Sequence, residues 1–165
     1  MIKVETTNFG IIEIDEEQLL DFPCGIPGFE DLTRWCLFHL EQNTELCWMQ
    51  AVDEPSVALL LADPDQLFRN YDLEISSDQL GPLELSEADE HSGAAPVVMR
   101  VVLRRDADED AFVANLQAPM LFNLSNRKGM QFVLDRPKFS ARQKLEVVPK
   151  VDEVLPGFQR EAVGT

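Results

Sequence analysis

A mostly β fold, a small antiparallel β-barrel-like single domain with one or two short helices, is what this sequence predicts, and three observations carry the prediction. About eight short runs rich in apolar, β-branched and aromatic residues follow one another at close spacing. The clearest pair, residues 119–124 and 130–134, flanks the polar group Ser125-Asn126-Arg127-Lys128-Gly129, which is hairpin punctuation. Helix signals are confined to one or two brief starts. The 165 residues suffice for one domain that removes roughly 70% of its extended-chain surface from water.

Residues 2–6 alternate and residues 9–14 resume after Thr7-Asn8, an N-terminal hairpin. Residues 15–18 make a polar turn and 19–22 a short apolar run. That run leads into Phe22-Pro23-Cys24-Gly25-Ile26-Pro27-Gly28-Phe29-Glu30, where two prolines and two glycines rule out a helix or a central strand. A structured loop is expected, with Phe22, Ile26 and Phe29 as apolar pegs and the glycines in tight turns. Residues 35–40 and 46–52, joined by a turn at 41–45, make a second hairpin. The unbroken apolar run 57–61 predicts a strand covered on both faces. Asp63-Pro64 resembles a helix start, an N-cap followed by proline at the first helical position. Residues 77–80 give a second short helical turn, stopped by Gly81-Pro82. Residues 83–95 are acidic and rich in small residues, expected as an exposed helix or loop.

Residues 96–104, PVVMRVVLR, predict a strong strand because valine is stiff at χ1. An acidic turn at 106–110 and residues 111–116 then lead to the hairpin. Pro119 has no amide hydrogen and belongs at a strand start or edge, while Asn126 and Gly129 can take the positive φ that the loop requires. Asn115 and Asn123 fall in apolar surroundings and need hydrogen-bond partners. Residues 139–148 are a final strand or a marginal helix. The domain is expected to span residues 1–148, with 149–165 a flexible C-terminal tail whose Val154, Leu155 and Phe158 could dock on the domain or on a partner.

Thirty Asp and Glu against fourteen Lys and Arg give a formal net charge of -16. Direct nucleic-acid binding is disfavoured, because nothing provides the basic stripe that would displace counterions. Basic protein partners are favoured instead, with an encounter rate that salt weakens. No run approaches the length of a membrane span and no signal peptide opens the chain, so a cytoplasmic location and no membrane contact are expected. Cys24, Cys36 and Cys47 stand twelve and eleven positions apart with no C-x-x-C, which fits buried reduced thiols better than disulfides or zinc. His39 and His91 are the only histidines, His39 in a strand and His91 in the acidic segment. The carboxylate groups Glu16-Glu17, Asp89-Glu90 and Asp108-Glu109-Asp110 all lie in solvated-looking turns, where they make poor general acids at neutral pH. Phosphate-cradling glycine motifs are absent. No catalysis, cofactor or metal is expected.

The two punctuated stretches, FPCGIPGFE at residues 22–30 and NLQAPMLFNLSNRKGMQ at 115–131, together with Leu59-Leu60-Leu61-Ala62-Asp63-Pro64 between them, closely resemble the FliW family of bacterial flagellar assembly factors. The resemblance covers roughly residues 2–134, with the motifs in order and at matching spacing. The acidic segment and the tail look longer than the family core needs. What the resemblance implies is a β-barrel-like domain without catalytic activity that binds the C-terminal helical region of cytoplasmic flagellin. It implies a second, alternative partner, the carbon storage regulator CsrA, an RNA-binding repressor of flagellin translation. The resemblance further implies that flagellin occupies the protein until export frees it to sequester the regulator. Phe22, Ile26, Pro27, Gly28, Phe29, Asn115, Ala118, Pro119 and Asn123 are then the residues expected to bind a partner or to support that surface, with Phe22, Ile26 and Phe29 walling a groove for an apolar helical stripe. A monomer is expected. The runner-up is a small-ligand-binding or enzymatic barrel with a cavity at its mouth lined by Phe22, Asn115 and Asn123.

Overall fold

The computed structural model describes residues 1–39, 46–73, 75–86, 97–108, 111–134 and 139–145. Strands β1 (Ile2–Thr6) and β2 (Gly10–Ile14) pair antiparallel as a separate ribbon. The main sheet holds β3 (Leu19–Asp21), β4 (Arg34–Phe38), β5 (Leu46–Ala51), β6 (Ala58–Ala62), β7 (Val97–Asp106), β8 (Ala111–Asn123), β9 (Lys128–Gln131) and β10 (Gln143–Lys144). From β3 to β8 the neighbours follow chain order and are antiparallel. Strand β9 pairs antiparallel with β8 and, parallel through the single position Asp21–Lys128, with β3. The ring of seven strands is thereby closed, and β10 lies outside it on β8. No helix among the described residues is long and apolar enough to cross a membrane.

Short helices sit where polar capping favours them. A 3-10 turn at Glu16–Gln18 is held by a capping box, in which the Asp15 amide donates to Gln18 Oε1 at 2.8 Å. Helix α1 (Pro64–Leu67) starts with the Asp63 side chain accepting from the Asp65 amide at 3.0 Å. At Gly81-Pro82 the structure differs from the expected stop: these residues open a 3-10 turn, Gly81–Leu83. Proline is tolerated there because an amide in the first turn has no intrahelical partner to lose.

The long strand β8 corrects two further expectations. Residues 111–116 and 119–123 belong to one strand that ends at Asn123, with Leu124 already in the turn, and Pro119 lies inside that strand rather than at its start. Arg100 pairs with Met120 and Val102 with Asn115, so residues 116–119 stand opposite Val101 alone in a wide bulge. Proline fits there because the bulge demands no ladder hydrogen bond from it. The surplus is odd, so the strand's two faces exchange across the bulge. Ala114 and Leu116 pack into one core before it, and Met120 and Phe122 into the other after it.

One of these cores gathers Leu20, Trp35, Met49, Leu61, Met120 and Phe122 from strands around the ring, as only the inward face of a closed sheet can. The other, with Phe38, Trp48, Leu60 and Leu103, is covered from outside by Val4 and Ile14 of the ribbon and by Leu67, Phe68 and Tyr71 after β6. Strand β6 therefore buries both faces, as its unbroken apolar run implies. Burial pushes the Tyr71 phenol pKa up, and its hydroxyl donates to the Leu116 carbonyl exposed by the bulge, at 2.8 Å.

Cys36 and Cys47 are buried, and burial pushes both thiols up to about 11, but Cys24 is exposed, against the expectation of three buried thiols. Titrating the native protein with an aromatic disulfide reagent should therefore release one equivalent promptly, and all three after denaturation. Fast reaction of a second thiol in the native state would contradict this packing. Residues 109–110 of the expected acidic turn 106–110, the residues 41–45, His91 with Asp89-Glu90, most of 83–95 and the tail 149–165 lie outside the described residues.

Candidate functional site

The two punctuated stretches of sequence meet across the seam where the ring closes. Phe22 is fully buried, its ring centroid 5.9 Å from Phe122 and 6.2 Å from Trp35. Gly129 faces that ring so closely that a Cβ there would stand 2.5 Å from it. This corrects the expected role of Gly129, which needs room for Phe22 and not a positive φ. The positive φ in the hairpin falls on Arg127, at 61°. Asn126 holds that turn by accepting from the Lys128 amide and donating to the Leu83 and Glu84 carbonyls.

After Phe22 the loop folds on two glycines. Gly25 has φ +67°, and a Cβ there would lie 2.5 Å from the Glu30 carbonyl oxygen. Pro27 and Gly28 form the corners of a second turn, with Gly28 at φ +92° and the Phe29 amide donating to the Ile26 carbonyl at 2.7 Å. The Gly28 amide donates to Glu30, which lowers that carboxyl's pKa. Ile26 and Phe29 thus stand side by side, Ile26 buried and Phe29 half-buried against Trp35.

Between this turn and strands β6 to β9 lies a groove of about 360 Å³. The loop contributes Ile26, Pro27 and Phe29; β8 contributes Asn115, Ala118 and Met120; and Leu59, Val102, Gln131, Val133 and Ala141 complete a mainly apolar lining. Arg104 is the one charged side chain among the described lining residues, and it is exposed. Two polar side chains in the lining support the bulge: Asn115 accepts from the Gln117 amide and Gln131 donates to the Ala118 carbonyl, both at 3.0 Å. Arg142, next to Ala141, donates to Asp106 and holds that carboxyl below its usual range, tying the chain after the groove to the end of β7.

Of the nine residues singled out from the sequence, the structure brings five to the groove: Ile26, Pro27, Phe29, Asn115 and Ala118. Phe22 does not wall it, contrary to expectation, because the ring is wholly inside the barrel. Asn123 is likewise buried, donating to the Leu83 carbonyl and accepting from the Ser125 amide, both at 2.9 Å. Pro119 is part of the bulge, and Gly28 is a corner of the turn. Phe22 and Asn123 are thus buried away from the groove that Asn115 lines, so the three do not share that site. Sequence reasoning missed the other seven lining residues, Leu59, Val102, Arg104, Met120, Gln131, Val133 and Ala141. Val102 and Arg104 were within reach, since they share one face of a strand that was read from its sequence. Val133 is 53% exposed although apolar, and it marks the groove's open lip.

A family model described as "FliW protein" matches residues 3–145. A flagellar assembly factor FliW from Desulfitobacterium hafniense strain Y51 is 34% identical over 158 residues, covering 94% of this chain and 99% of that protein. One from Carboxydothermus hydrogenoformans is 33% identical over 135 residues, covering 82% and 84%. A crystal structure of the flagellar assembly factor FliW superposes with a TM-score of 0.72 at 30% identity, over 86% of this chain and 95% of that one.

Proposed function

The chain belongs to the FliW protein family, and from that premise we propose that it is a flagellar assembly factor whose groove takes the C-terminal helical region of flagellin. The observation that carries the reading is the joint lining of one apolar groove by the loop turn at Ile26 and Phe29 and by the bulged part of β8. A flagellin terminal helix with an apolar stripe would seat two or three anchors there, and Arg104 would meet an acidic residue or carbonyl at the rim. We assign Ile26, Pro27, Phe29, Asn115 and Ala118 to the contact surface or its immediate support. Phe22, Gly28, Pro119 and Asn123 shape it from behind. Residues 1–148 would form the binding domain, acting as a monomer.

The second partner in this reading is CsrA, which binds in alternation with flagellin. An RNA-binding regulator presents positive charge, and a net charge of -16 on this chain favours the encounter and repels the phosphates of a competing RNA. If each partner weakens the other, the coupling is reciprocal, so a rise in flagellin releases regulator and a fall lets this chain take it up. No catalytic step belongs to this scheme, and its site is the cytoplasm, where unexported flagellin accumulates.

Val133→Glu tests the groove with little risk to the fold, because the side chain is already half in water. It should weaken binding of the flagellin C-terminal segment by about tenfold or more, roughly 1.4 kcal/mol. The melting temperature should hold. Ile11→Glu, 66% exposed on the ribbon and outside the groove, serves as the control and should leave affinity unchanged. Equal affinity of the Val133 variant and the wild type would remove the groove from the interface.

A further inference from the structure

We propose that the groove is also the docking site for residues 152–158 of this same chain, which hold it against the partner until the partner is abundant. This inference rests on the reading that the groove is the flagellin site. Its first support is a repeat within the chain. Leu155-Pro156-Gly157-Phe158 repeats Ile26-Pro27-Gly28-Phe29, an aliphatic residue, proline, glycine and phenylalanine in the same order, and these are the only Pro-Gly pairs in the sequence. In the first copy, hydrogen bonds run both ways between Ile26 and Phe29, at 2.7 and 3.4 Å, and the turn sets its two apolar side chains next to each other. The second copy carries the same turn code. Proline fixes one φ and glycine accepts the positive one, so presenting Leu155 and Phe158 as a pair loses little conformational entropy on docking.

Position and charge supply the second and third supports. Ala141 lines the groove and Lys144 is paired with Val113 of β8, so the chain passes the groove's edge before the tail begins. Leu155 lies ten positions after Leu145, a reach of up to roughly 33 Å, so the tail can reach back over the groove. The tail places Asp152-Glu153 one residue, Val154, ahead of Leu155, and the groove's one charged described lining residue is Arg104. A net charge of -16 disfavours docking of an acidic segment on any surface that lacks such a cation.

Tethering makes weak docking sufficient. A segment held at an effective concentration on the order of 1 mM, and binding with a constant of about 0.1 mM, fills the groove about nine-tenths of the time. The partner's apparent affinity then falls about tenfold. The tail would set a threshold: low flagellin leaves the groove self-occupied, and accumulating flagellin displaces it.

The test uses the full chain, with methionine methyl groups labelled for NMR, and the double variant Leu155→Asp/Phe158→Asp. The Met120 methyl, which lines the groove, should shift between wild type and variant, while that of Met99, packed on the outer core, should stay. The flagellin segment should bind the variant about tenfold more tightly. Asp152→Lys/Glu153→Lys should move Met120 in the same direction. An unchanged Met120 signal overturns tail docking whatever flagellin does. A shift without flagellin binding to either form supports docking and overturns the partner reading. A shift that disappears on dilution would place the tail of one copy in the groove of another, against the intramolecular proposal.

Discussion

Phe22→Ala should lower the unfolding free energy by about 3–5 kcal/mol, the largest effect expected of any single truncation in the site motifs. The ring is fully buried, sits edge-on to Phe122 and packs against Trp35, and fills the space that Gly129 leaves open. Removing it opens a cavity at the seam, where β3 and β9 share a single paired position. Neither strand can slide inward to fill the cavity, because Leu19, Leu20 and Asp21 are registered on β4 and residues 128–131 on β8. Urea denaturation followed by tryptophan fluorescence measures the loss. A change below about 1 kcal/mol would mean that the ring is not the plug described.

Gly25→Ala should cost about 2–4 kcal/mol, combining a left-handed backbone with a steric clash. At φ +67° an L side chain is strained in any surroundings, and here the added Cβ would meet Glu30 backbone atoms at 2.5 to 2.9 Å. Backbone cannot swing aside as a long side chain can, so the turn from Phe22 to Phe29 must open. Gly28→Ala separates the two contributions. Its φ is +92°, yet nothing lies within 4 Å of the added atom, so it should cost less than the Gly25 change. Equal melting temperatures for the two alanine variants would contradict the geometry.

These contrasts explain which parts of the molecule were legible in its sequence. Many local codes were readable because they answer to local physics, although Gly81-Pro82 opens a turn where it was expected to stop one and the hairpin's positive φ falls on Arg127. Thr7-Asn8 joins β1 to β2, Asp63-Pro64 starts α1, and the continuous run of β6 is buried on both faces. The loop at 22–30 was recognisable as structured because two prolines and two glycines leave the backbone few alternatives. Nonlocal facts were not readable. Alternation along 111–123 gives no warning that an odd bulge exchanges the faces, so Pro119 looked like a strand start. Gly129 looked like a turn residue because its partner, the Phe22 ring, is far away in sequence. Asn123 looked like a contact candidate, but the carbonyl it satisfies belongs to Leu83, forty residues earlier. The groove itself needs ring closure, which no single segment encodes.

Calorimetric titration of the full chain with the C-terminal segment of flagellin from the same organism, repeated after saturation with CsrA, tests the central claim most directly. One-to-one binding that the regulator abolishes or weakens is the predicted result. No heat of binding with either partner would contradict it.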